Sequence, residues 1–137
     1  MPTAVILASN YLRVGGWLSD LPVAEVSLKS IYPVVTGEYR GLAVIDSGSD
    51  ICWVPRGFAQ RYGWPTDYSV GRRRLITVSG EFHAPQYLLS IRINALEWIV
   101  DVCEAGRGFT CPIIGENILE DVVVLLDGPG KRLTISR

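Results

Sequence analysis

Short apolar or alternating runs bounded by Gly, Pro, Asn or Asp recur along the whole chain, at residues 3–8, 23–28, 42–45, 75–78, 87–93, 97–102, 122–126 and 133–135. Runs of this length and spacing predict strands, so the fold class is all-β, with the chain turning back on itself at each break. The stretch from Gln86 to Asn94 mixes β-branched and aromatic residues in partial alternation, and Asn94-Ala95 separates it from a second such stretch, Glu97 to Val102. That arrangement predicts two adjacent strands joined by a tight turn. Dense turn chemistry at Asp127-Gly128-Pro129-Gly130 predicts a C-terminal hairpin, with its last strand at a sheet edge or paired with another chain. Helical signals are confined to two places. After Pro55, a helix over 56–62 would gather Phe58, Ala59 and Tyr62 on one face before Gly63 and Pro65 stop it, and 116–121 would dock Ile118 and Leu119 as a short turn.

No tandem repeat, low-complexity tract or linker divides the 137 residues, so one domain over 1–137 is expected. The hydrophobic share of 48% favours a packed core over disorder. Thirteen Lys and Arg against fourteen Asp and Glu leave a net charge of −1, which provides no basic field for nucleic acid or anionic lipid. The apolar runs fall far short of the roughly 18–20 residues of a membrane span, and no basic segment precedes the first of them. A soluble, unexported, cytoplasmic protein is therefore expected. Its three cysteines, Cys52, Cys103 and Cys111, form no CxxC and suit reduced thiols. One histidine, His83, does not complete a zinc ligand set, so no structural metal is expected.

Chemistry concentrates where the run Leu42-Ala43-Val44-Ile45 meets Asp46-Ser47-Gly48-Ser49-Asp50. A carboxylate at the end of a buried strand is poorly solvated. Taken by themselves the residues allow two readings: a turn in which Asp46 caps the loop and Gly48 supplies a positive φ, or a carboxylate positioned for reaction.

The surrounding pattern resembles the retropepsin-like aspartic proteases. A hydrophobic strand leads into Asp46-Ser47-Gly48. A glycine-containing hairpin, Leu75-Ile76-Thr77-Val78-Ser79-Gly80-Glu81-Phe82, follows in the place of the flap, and a hydrophobic pair plus glycine, Ile113-Ile114-Gly115, then precedes a short helix. The likeness runs from about Val23 to the C-terminus, with residues 1–22 as an extension or added strand. It implies a closed, barrel-like lobe with one or two short helices, acting as a two-fold homodimer on peptide or unfolded-protein substrates without a cofactor. Peptide hydrolysis by water needs two carboxyl groups in opposite protonation states. This chain has a single Asp-Ser-Gly, so the resemblance implies one catalytic Asp46 from each chain. Ser47 and Gly48 would support the loop. Asp50, Val78, Ser79, Gly80 and Ile114 would contact substrate, and Gly115 would pass close to the catalytic loop. A retropepsin-fold module that dimerises or grips peptides without cutting them is the alternative.

One position departs from the viral pattern. An arginine commonly follows the glycine of the second motif and pairs with the second aspartate of the loop, whereas this chain has Glu116, leaving Arg56 or a partner's arginine to balance Asp50. Arg72-Arg73-Arg74 is expected to be a solvated turn and His83 a surface or flap-stem residue. Cys52 is expected to be a small buried apolar group, and Trp53, Trp64 and Trp98 core or interface residues.

Overall fold

The computed structural model describes residues 4–14, 19–32, 37–67, 71–77, 80–105 and 110–137. Strands β1 (Val5–Asn10), β2 (Val23–Ser30) and β3 (Glu38–Ile45) come first, followed by β4 (Cys52–Val54), helix α1 (Phe58–Tyr62), β5 (Arg73–Thr77) and β6 (Gly80–Ala84). The chain continues through β7 (Gln86–Ile93), β8 (Leu96–Glu104), β9 (Ile113–Ile114), helix α2 (Glu116–Leu119), β10 (Val123–Asp127) and β11 (Arg132–Ser136).

Six strands close a barrel in the order β2-β3-β9-β4-β8-β7. Alternation decides which side chains fill it. Along β2, Ala24, Val26 and Leu28 point inward while Glu25 and Lys29 face solvent, and along β7, Leu89, Ile91 and Ile93 are sealed from water. Each such leucine or isoleucine contributes about 1.5–3 kcal/mol on burial, which fixes the register as well as the fold. Strands β7 and β8 meet at the two-residue turn Asn94-Ala95, where Asn94 takes φ 50°, as the tight-turn chemistry predicts. Gly57 (φ 90°) opens α1 and Gly63 (φ 71°) ends it, and Phe58 and Ala59 are buried with Tyr62 packed beside them.

A second sheet, β1-β11-β10, packs against one side of the barrel and adds Leu133 and Ile135 to the same core. Here the structure corrects two expectations, the place of the last strand and the arginine run. The last strand is the centre of its sheet rather than an edge, because β1 pairs with it from the other side. The strand expected at residues 3–8 is present as β1, in the chain's own sheet. Arg73 and Arg74 begin β5 and pair with Ala84 and His83, so the arginine run is a hairpin arm instead of a turn. Strand β4 was also not foreseen, since three residues are too few to display a period. Among the described residues no helix is long and apolar enough to cross a membrane.

Candidate active site

The barrel brings the two sequence motifs together through parallel pairing of β3 with β9, Val44 opposite Ile113 and Ile45 opposite Ile114. Asp46 follows directly. Its N–H donates to the Ile114 carbonyl (3.0 Å), while its Oδ1 accepts the Gly48 N–H (2.9 Å) and its carbonyl accepts the Ser49 N–H (3.2 Å). The loop is tied on its far side as well, because the Glu116 N–H donates to the Ser49 carbonyl (2.7 Å). Ser49 Oγ donates to the Ile51 carbonyl (2.7 Å) and accepts the Trp53 indole N–H (3.1 Å). Asp46 thus stands half-exposed on a loop whose backbone is held at several points, the preorganisation a reacting group needs.

Gly115 is required by packing. A Cβ there would overlap the Ile51 carbonyl oxygen and come within 2.7 Å of the Ser49 carbonyl oxygen, and neither backbone atom can yield. The Gly115 N–H instead meets Cys52 Sγ (3.3 Å), and that thiol donates to Asn117 Oδ1 (3.0 Å). Burial pushes the Cys52 thiol up to about 12 and Cys103 to about 11, so neither is a thiolate nucleophile at neutral pH. Gly48 behaves differently from the turn reading: Asp46 does cap a turn, but the positive-φ glycines among the described residues are Gly57, Gly63, Gly71 and Gly80.

Asp46, Gly48, Ser49 and Asp50 form one wall of an open cleft of about 600 Å³, with Ile51 and Trp53 beside them and Arg73, Arg74, Leu75 and Ile76 of β5 opposite. Ile76 is 78% exposed, an apolar side chain held at the cleft with little to cover it. Ser47 is exposed next to Asp46. The remaining expected residues distribute unevenly. Val78 and Ser79 lie outside the described residues, and Gly80 starts β6 with φ 124° at the end of the hairpin. Ile114 is fully buried, so its link to the site is the carbonyl that accepts the Asp46 N–H. Among the described residues no ion pair reaches Asp50 from Arg56 or elsewhere, and Arg73 and Arg74 are the cations that share its cleft. Arg74 is held by Glu81 in a two-pronged contact (2.7 and 2.9 Å).

Sequence reasoning missed the contribution of β5. The arginine run was visible, but its pairing with β6 turns it towards the cleft. Trp53, expected in the core or an interface, is half-buried and lines the cleft, whereas Trp64 is buried as expected. No three His, Cys, Asp or Glu side chains come together as a metal site would need among the described residues.

A closed six-stranded barrel with this pairing of loop and second motif is the retropepsin-like fold. The chain is similar to the crystal structure of a retropepsin-like aspartic protease from Rickettsia conorii, with TM-score 0.62 and 16% identity over 98% of this chain and 93% of that one. It is also similar to EIAV protease complexed with the inhibitor HBY-793, with TM-score 0.54 and 14% identity over 80% of this chain and 93% of the other. No family model and no curated protein sequence matches the chain.

Proposed function

We propose that the protein is an aspartic endopeptidase that hydrolyses peptide bonds with water activated between the Asp46 carboxyls of two identical chains. The observation that carries this reading is the placement of Asp46 in an open cleft, on a loop held by the Ile114 carbonyl and the Glu116 N–H. In the mechanism, one Asp46 carboxylate takes a proton from water as its oxygen attacks the scissile carbonyl carbon. The other Asp46, protonated, donates to the carbonyl oxygen. The tetrahedral diol then collapses, the C–N bond breaks and the amine leaves with a proton returned from the pair. Two carboxyls at such close range titrate as a unit, so activity peaks at acidic to mildly acidic pH.

Each chain supplies a single Asp46, and a two-fold axis supplies the second. Support for self-association comes from β10, an edge strand of its sheet that exposes Val123, Leu125 and Leu126, where an unpaired apolar edge offers a template for another chain. In the assembled site Ser47 bonds across the dimer beneath the carboxylates and Asp50 accepts substrate backbone N–H groups. Val78, Ser79 and Gly80 cover the peptide, which excludes bulk water. An extended peptide fits the open cleft by adding to the flanking strands. Three buried free thiols suit a reducing compartment such as the cytoplasm.

The test is cleavage of an unfolded protein between roughly pH 3 and 7, a range bracketing carboxyl titration, with wild type and Asp46→Asn compared at several enzyme concentrations. Cleavage by wild type alone, with specific activity falling on dilution, supports the reading. A folded dimer that cleaves at no pH overturns it in favour of a non-catalytic peptide-binding module.

A further inference from the structure

Behind the cleft, at the root of the β5–β6 hairpin, lies a second pair of acids. Asp67, in the segment after α1, is 1% exposed, accepts the Tyr32 hydroxyl on Oδ1 (3.2 Å) and donates its N–H to the Gln86 carbonyl (2.7 Å). Asp101 stands on β8 between core-facing Val100 and Val102, so its side chain turns to the outer face of the barrel, within hydrogen-bond reach of the Asp67 side chain. Asp101 Oδ1 is buried without a hydrogen-bond partner. A full negative charge on that oxygen has no donor to solvate it, which favours the protonated acid.

Among the described residues, titratable groups face this pair from several elements. Tyr32 follows β2, Arg73 comes from β5, and Cys103 lies two residues along β8. Arg73 is the cation among them, and it belongs to the hairpin. Gln86 of β7, itself buried, joins the parts: its Oε1 accepts Arg73 Nε (3.2 Å) and its Nε2 donates to the Gly71 carbonyl (3.1 Å), while its own carbonyl holds the Asp67 N–H. The base of the hairpin, the acid pair and the barrel wall therefore form one bonded unit.

We propose that Asp67 and Asp101 are positioning residues that share one proton, and that this proton sets how firmly the β5–β6 hairpin is held against the barrel. With the proton present, one carboxyl donates to the other and the remaining charge faces Arg73. When it leaves, two carboxylates confront the Arg73 guanidinium, and the contacts of Asp67, Gly71 and Arg73 with Gln86 loosen. Burial first, and then the hydrogen bond and charge of Asp67, push Asp101 up to about 6, with Arg73 pulling it down. The anchoring does not depend on the protease reading. Its effect on cleavage, through Leu75 and Ile76 at the cleft, rests on the protease reading.

The experiment uses the full chain carrying Asp46→Asn, so that no other carboxyl pair titrates and no cleavage is needed. Carboxyl carbon resonances of Asp67 and Asp101 are followed by NMR from roughly pH 4.5 to 8, beside hydrogen-exchange protection factors of the β5 and β6 amides. One of the two carboxyls is expected to titrate near 6, with hairpin protection falling about tenfold over the same range. Adding Asp101→Asn, which keeps the shape and can still donate to Asp67, flattens that fall. Titration of both carboxyls near 4, or an equal fall in protection with Asp101→Asn, overturns the proposal. The carboxyl titration decides it even where a variant fails to fold, and neither readout depends on whether Asp46 hydrolyses peptides.

Discussion

Asp46 stands in an open cleft with its backbone bonded on both sides, whereas Asp67 and Asp101 meet behind the β5–β6 hairpin, where one is sealed from solvent and the other has a buried oxygen without a donor. The first acid has an open cleft with room for a substrate, and the protease reading takes its catalytic partner from a second chain. The other two have each other but no room for a substrate. A pair of carboxyls is therefore not by itself a hydrolytic site. Access decides whether a shared proton can serve a reaction or only hold two pieces of the fold together.

The comparison can be broken most sharply at Asp46. Asp46→Asn is expected to lower cleavage by about 10³-fold, in the range of acid–base contributions, while sedimentation shows an unchanged dimer. Removing the support of that loop comes next: Gly115→Ala forces a Cβ into the Ile51 carbonyl and should cost about 3 kcal/mol in urea unfolding. Leu125→Lys puts a charge on the exposed β10 edge and should weaken self-association about tenfold by analytical ultracentrifugation, with the monomer still folded.

Two smaller effects sharpen the other side. The Asp101 carboxyl is raised by burial above its ordinary value, so its protonation stabilises the fold. That contribution is fully present below about pH 4 and is lost as pH rises through about 6. Asp101→Asn should flatten the fall in melting temperature across that window. Arg74→Ala breaks an exposed ion pair with Glu81 in the hairpin arm and should cost about 0.5 kcal/mol or less, leaving exchange protection at the hairpin root unchanged.

The strands with a wet face and a dry face could be read directly from the sequence. Leu89, Ile91 and Ile93 alternate against polar neighbours, and Asn94-Ala95 marks the turn. Strands β4 and β9, at three residues and two, carry too few positions for alternation to register, although they complete the barrel between β3 and β8. The hairpin from Leu75 was foreseen, but the start of β5 was not: Arg73 and Arg74 are exposed and leave no apolar pattern. For the candidate site, the order of the Asp46 and Gly115 motifs was legible because a carboxylate after an apolar run is conspicuous. The buried acids were not. Asp67 has no motif around it, and the one clue is Asp101 interrupting Ile99-Val100-Asp101-Val102-Cys103, an acid where a strand otherwise has apolar neighbours.

Parallel pairing of β3 with β9 also determines when the site exists during folding. Residues 44–46 and 113–116 lie far apart in the chain, and the polypeptide between them must be ordered before the Ile114 carbonyl and the Glu116 N–H reach the loop. A partly folded intermediate that has formed only the local β7–β8 hairpin holds Asp46 on an unshaped loop. Nucleation by local contacts leaves the geometry of the Asp46 loop among the last features to appear, so under the protease reading a chain still searching for its fold has no working centre with which to cut its neighbours.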